Sequence, residues 1–234
     1  MKKASLLAMM SALSTPEFSL KLKFDGNTLD SSGNGLHATA FNNPTYISSD
    51  GGVTFDGGLE FNGIDQYVKV NNSASPLLDI GTESMTLGCQ LRSSSPPSQC
   101  GIIGKGVYGS ANGRYALWIT NNSYQAIIDL DAPDSLSFGS PYIDNIWHDM
   151  VAVFDRDNGV INVYVDGVFV NSQSMNQPAV NRQTEFGFYI GVYGNSNGTQ
   201  PSSAGGYFKG GIKNVFVKKA VMTGTEVSNV FSNF

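Results

Sequence analysis

Charge is scarce in this sequence, and so are the residues that carry most enzymatic and metal chemistry. Of 234 residues, 14 are Lys or Arg, 19 are Asp or Glu, 2 are His and 2 are Cys. The net charge of −5 and the lack of any basic cluster argue against nucleic acid as a partner. A zinc site needs several His or Cys at ligand spacing, and none is present. A serine triad needs a His held by a carboxylate. His148 and Asp149 are adjacent, so in a strand they point to opposite faces, and His37 lies in a Gly-rich loop with no partner set. The segments "GNSNG" and "GKG" fall between strand-like runs and not ahead of a helix, which excludes a phosphate cradle. No apolar run is long enough to cross a bilayer as a helix. There is no internal repeat and no long linker.

What the chain does have is turn chemistry and alternation. In "WHDMVAVFDRDNGVINVYVDGVFV", Met150, Ala152 and Phe154 share one face of an extended segment, and Val151 and Val153 share the other. The loop Asp155 to Gly159 leads to a second strand through Ile161, Val163 and Val165. Asp166-Gly167 then turns into Val168-Phe169-Val170, because Asp and Gly tolerate the positive φ angles of a type I′ turn. Similar runs recur along the chain: "FSLKLKF", "LEFNGIDQYVKV", "SMTLGCQLR", "CGIIGKG", "GRYALWITNNSYQAIIDL", "EFGFYIGVYG" and "YFKGGIKNVFVKK". A short helix is expected only after Thr225. More than ten short strands with almost no helix predict an all-β fold, a two-sheet antiparallel sandwich in one domain over residues 18–234.

Residues 1–17 are read separately. "MKKASLLAMMSALSTPEF" has Leu6, Met10 and Leu13 at helical spacing, with Pro16 as a stop. The preferred expectation is a short apolar N-terminal arm that docks on the domain or on a neighbouring subunit of a larger assembly. The alternative is a secretory signal-like segment left uncleaved. Cys89 and Cys100 flank "QLRSSSPPSQ"; a disulfide between them is expected if their strands pair as a hairpin, and otherwise they are two small apolar residues.

A register argument supplies the candidate binding residues. With Asn121-Asn122 as a two-residue turn, Thr120 opposes Ser123, Trp118 opposes Gln125, Ala116 opposes Ile127 and Arg114 opposes Asp129. One face then carries an indole with Arg114, Gln125 and Asp129 around it. Gln90 adds an amide if its strand is a neighbour. Sugars bind where an aromatic plate meets their C–H surface and polar groups meet their hydroxyls. The alternative is a covered scaffold Trp beside a cross-strand Arg–Asp pair. Asp25, Asp30 and Asn34 offer oxygen ligands for a structural calcium, or simply form turns. For glycoside cleavage the only strand-like alternating acids are Asp129 and Asp131; Asp155 and Asp157 alternate within a turn.

The order of these motifs resembles the laminin G-like branch of the concanavalin A-like jelly rolls. "LDSSGNGLHATA" is similar to that family's amino-terminal loop, and "LEFNGIDQYVKV" to its Leu-x-Phe-x-Gly-x-x-x-Tyr-Val strand. "IWHDMVAVFDRDNGVINVYVDGVFV" resembles its Trp-His, Val-Ala and Tyr-Val-Asp-Gly run, and "FYIGVYG" and "YFKGGIKNVFVKK" its last core strands. The resemblance implies a jelly-roll sandwich of two curved antiparallel sheets, a scaffold role for the Trp-His pair, and adhesion or carbohydrate binding without chemistry. The chain departs from the pattern at Gln90, where the family has Trp, and at Lys213-Asn214, where an acidic pair usually follows Ile. The second departure puts a calcium site in doubt. The expected function is a non-catalytic recognition, adhesion and structural module at an extracellular or virion surface. Its expected partners are other subunits of an assembly and cell-surface glycans. The rivals are a secreted free-standing lectin-like module and a polysaccharide-cleaving enzyme.

Overall fold

The computed structural model describes residues 17–48, 55–71, 75–106, 114–129, 133–139, 141–176, 178, 181, 186–194 and 206–234. Residues 1–16 of the expected arm, and Asp131, lie outside them. Strands are numbered in chain order. The first sheet runs β13 (Val168–Ser174), β12 (Val160–Val165), β11 (His148–Asp155), β6 (Met85–Arg92), β15 (Lys209–Lys218), β4 (Phe55–Asn62) and β3 (Thr45–Ser48), with β1 (Leu20–Leu22) also on β15. The second runs β10 (Pro133–Gly139), β9 (Ser123–Asp129), β8 (Arg114–Thr120), β7 (Gln99–Lys105), β14 (Phe188–Ile190), β5 (Tyr67–Val70) and β2 (Ala38–Phe41). Every pairing is antiparallel. The two sheets form the expected sandwich.

The local turns follow from backbone chemistry. Asn121 and Asn122 have φ of 50° and 59°, and Asp166 and Gly167 have 51° and 73°. Two successive positive φ angles mark the turn whose twist matches the flanking strands. Alternation then decides what is inside. Met150, Ala152 and Phe154 on β11 meet Tyr115, Leu117 and Ile119 on β8, and Tyr124, Ala126 and Ile128 on β9, in one core. Each large side chain so buried contributes roughly 1.5–3 kcal/mol relative to exposure.

Val151 and Val153 point the other way yet are also buried, because the C-terminal segment covers them. The helix α1 (Gly224–Asn229) begins with a capping box: Glu226 N donates to Thr223 Oγ1 at 3.2 Å, and Thr223 N donates to Glu226 Oε2 at 2.8 Å. Phe18, Phe216, Met222, Val227 and Val230 join the two valines in a second apolar cluster. Phe216 lies flat on β6 because Gly88 is beneath it; a Cβ there would stand 2.7 Å from the ring. Part of the first sheet's outer face is thereby closed.

The expected cysteine hairpin does not form. Cys89 stands on β6 and Cys100 on β7, which belong to opposite sheets, and both are free buried thiols. The loop between them crosses from one layer to the other, so its two ends do not pair. Burial pushes the Cys100 thiol up to about 12 and raises Cys89 as well.

Candidate functional site

The second sheet's outer face carries a grouping of four aromatic rings. On β5, Val68 and Val70 face the core, so Tyr67 and Lys69 face out. Phe41 on β2 is the ladder partner of Tyr67, and Tyr189 on β14 is the partner of Lys69. Phe41 and Tyr67 stack at 4.6 Å with an interplanar angle of 3°, and Phe41 is 37% exposed. Tyr207 and Tyr189 approach Tyr67 at 6.4 and 6.2 Å, and Lys69 Nζ sits 5.6 Å from the Tyr189 ring. Burial, then the neighbouring phenol, raises Tyr67 above its usual pKa, while burial and Asp65 raise Tyr207. Both hydroxyls therefore stay protonated and can donate at neutral pH.

The far end of the same face holds the residues that the register argument selected. Trp118 opposes Gln125, Arg114 opposes Asp129, and Thr120 opposes Ser123. The indole N–H donates to Gln125 Oε1 at 2.9 Å, and Gln125 Nε2 donates to Ser137 Oγ at 2.7 Å. The Arg114 guanidinium lies 4.5 Å from the indole centroid, and Tyr193 meets the indole edge-on at 5.3 Å. Trp118 is only 6% exposed. It is a wall of a small cleft of about 20 Å³, which Gly101, Gly104, Arg114 and Tyr193 also line, and not an open plate. Gly206 permits this closeness: a Cβ there would fall 2.3 Å from the Tyr193 ring.

Gln90 is not part of this group. It lies on β6, in the other sheet, where its Nε2 donates to Asp149 Oδ1 at 2.6 Å and its Oε1 accepts from Asn214 Nδ2 at 2.6 Å. β6 pairs with β11 and β15 and never with β8, so the extra amide expected beside Trp118 is absent there. Sequence reasoning missed Phe41, Tyr67, Tyr189 and Tyr207. The signal available was the alternation in "DQYVKV", which opposes Tyr67 and Lys69 to the core valines.

The expected calcium ligands do not converge. Asp30 is 8% exposed, and its carboxylate accepts from Lys21 N, Ser32 N, Ser32 Oγ and Leu36 N at 2.8–3.0 Å. Asn34 Nδ2 donates to the carbonyls of Phe18 and Ser19, and Asp25 accepts from Asn27. The chain's own donors occupy both Asp30 oxygens that a cation would need, which is turn chemistry. Among the described residues no three acidic, His or Cys side chains are grouped to hold a metal. Asp155 likewise accepts from Asn158 N and Nδ2 within its turn.

His148 ties three segments together. Its Nδ1 is 2.8 Å from Asp166 Oδ2, its Nε2 is 3.2 Å from Asp144 Oδ1, and its ring meets Tyr142 edge-on at 5.2 Å. Burial lowers its pKa, but hydrogen bonds and charge from Asp166 and Asp144 outweigh that and raise it above 6.5.

A family model described as the concanavalin A-like lectin/glucanases superfamily matches residues 61–228. Several solved structures share the fold. The binding domain of Paraclostridial mosquitocidal protein 1 aligns with a TM-score of 0.70 at 12% identity, covering 93% of this chain and 52% of that one. The binding domain of botulinum neurotoxin DC, in complex with rat synaptotagmin II, gives 0.68 at 12% identity, covering 93% and 52%. A structure from botulinum neurotoxin type C, a toxin whose uptake into cells depends on two ganglioside molecules, gives 0.67 at 13% identity, covering 92% and 50%. The chain thus spans about half the length of these neighbours. A search of curated protein sequences returned no match.

Proposed function

We propose that this chain, which belongs to the concanavalin A-like lectin/glucanases superfamily, is a non-catalytic recognition module whose ligands are cell-surface glycans. The observation that carries the reading is the half-open aromatic platform on the second sheet. Phe41 and Tyr67 are stacked parallel with Phe41 exposed, and Tyr207 lies beside them. Such rings offer apolar area to a sugar's C–H face, and the Tyr hydroxyls offer directional polar contacts. The complex of one fold neighbour with rat synaptotagmin II, and the dependence of another's cell entry on gangliosides, support an exterior role.

The test is a glycan array probed with wild type, Tyr67→Ala and Trp118→Ala. Tyr67→Ala is expected to lose about tenfold in affinity or more, the loss typical of a truncated aromatic anchor. Trp118→Ala is expected to weaken binding through the walls of the cleft. A wild type that binds no glycan, or variants that bind as it does, would refute the reading.

An assembly role, as a surface subunit such as one on a virion, is the second part of the proposal. An open groove of about 390 Å³ lies beside Phe18, Met222 and Val230, with Glu17, Lys21 and Glu226 also lining it. Glu17, the first described residue, lines this groove, and Leu6, Met10 and Leu13 would suit its apolar residues as a docking segment.

A further inference from the structure

We infer that the open half of the first sheet's outer face is a second binding site, for sugars that carry carboxylate or sulfate groups. The inference rests on the reading of the chain as a recognition module, but it uses a different face and different residues.

A β-bulge in β15 builds the site. Lys213 pairs with Gln90 and Phe216 with Gly88, so three steps on β15 match two on β6. Ile212 and Val215 both enter the core, which leaves Lys213 and Asn214 together on the outer side. Asn214 takes the positive φ of 50° that the bulge needs. The two departures from the laminin G-like pattern, Gln90 and Lys213-Asn214, thus meet, joined by the Asn214–Gln90 hydrogen bond of 2.6 Å.

Beside them lies Trp147, half-buried. Its indole reclines on β15 because residue 211 is Gly; a Cβ there would stand 2.8 Å from Trp147 Cη2. Lys213 Nζ is 4.5 Å from the indole centroid and Arg92 Cζ is 5.2 Å from it. The nearby carboxylates are already engaged. Glu60 takes Arg92 Nη2 at 3.1 Å, and Asp149 accepts from Gln90. Lys213 has no carboxylate within ion-pairing distance among the described residues. The face therefore presents an ammonium on an indole, with no ion pair within 4.0 Å among the described residues, flanked by two side-chain amides and feeling the charge of the Asp149 carboxylate.

Such a cation selects an anionic group, the indole suits a sugar's C–H face, and amides suit hydroxyls. A peptide fits less well. β11, β6 and β15 are interior strands with both edges paired, so they leave no free edge for an added strand.

The experiment titrates the full chain with polygalacturonate, dextran sulfate, neutral dextran and polyglutamate, using wild type, Lys213→Glu, Lys213→Gln and Tyr67→Ala. Polygalacturonate and dextran sulfate separate carboxylate from sulfate as the preferred group. Binding of at least one of them is expected, with about tenfold loss in Lys213→Glu and a smaller loss in Lys213→Gln. Raising salt from about 0.1 to about 1 M shortens screening from about 10 to about 3 Å and should weaken it. Unchanged melting curves show that the Lys213 variants fold. No binding of either acidic polysaccharide, equal binding by Lys213→Glu, or equal uptake of polyglutamate would overturn the inference. Loss in Tyr67→Ala but not in Lys213→Glu would do so too, while supporting the platform on the other sheet.

Discussion

Lys105 stands on β7 beside Gly104, on the floor of the candidate glycan face, but its side chain turns inward and is 0% exposed. Its ladder partners are Tyr115 and Phe188, both core residues, and its ammonium pairs with Asp79, whose side chain is 18% exposed. Asp79→Ala would strand a cation in the core. Burial already lowers the Lys105 pKa below 10.5, and Asp79 opposes that fall. A group depressed in this way adds stability above 10.5 and loses it as pH falls through the folded-state value. A stranded ammonium can always escape by losing its proton. At pH 7, about 3.5 below 10.5, that escape costs at most about 5 kcal/mol at about 1.36 per pH unit. The expected cost of Asp79→Ala at pH 7 is therefore about 3–5 kcal/mol, as for other broken buried pairs. At pH 9 the same ceiling falls to about 2 kcal/mol. In a Lys105→Met background, which leaves no charge to strand, Asp79→Ala should cost about 1 kcal/mol or less. Urea unfolding followed by tryptophan fluorescence at both pH values, with unchanged m, measures all four corners of the cycle. A cost below about 1 kcal/mol at pH 7, or one that does not shrink at pH 9, would refute the reasoning.

Two other predictions concern the rest of the molecule. His148 has a pKa raised above 6.5, so the clip it makes with Asp166 and Asp144 should stabilise the fold fully below 6.5 and fade as pH rises through its folded-state pKa; stability measured against pH should lose that slope in His148→Gln, and parallel curves would refute it. If residues 1–16 dock in a neighbour's groove, replacing Leu6, Met10 and Leu13 with Ser should shift the chain to a smaller species on size-exclusion chromatography, and identical elution would rule that out.

Legibility varied with the range of the interaction. The hairpins at Asn121-Asn122 and Asp166-Gly167 were readable because their backbone angles and register depend on neighbouring residues alone. From that register came the shared face of Arg114, Trp118, Gln125 and Asp129. Whether Trp118 is open or covered was not readable, since Tyr193, which comes from a distant segment, closes its edge. Gln90 and Cys89 were misplaced for one reason: the loop after β6 changes layers, and no local pattern distinguishes a hairpin loop from a crossing of the sandwich.

Alternation, turn residues and the motif order were enough to establish two antiparallel layers, because each of those is a property of a few consecutive residues. The choice of strand neighbours, the cover over half of the first sheet, and the bulge that sets Lys213 and Asn214 side by side belong to the tertiary structure. They depend on which distant apolar faces bury one another, and the free energy of that choice is shared over the whole core.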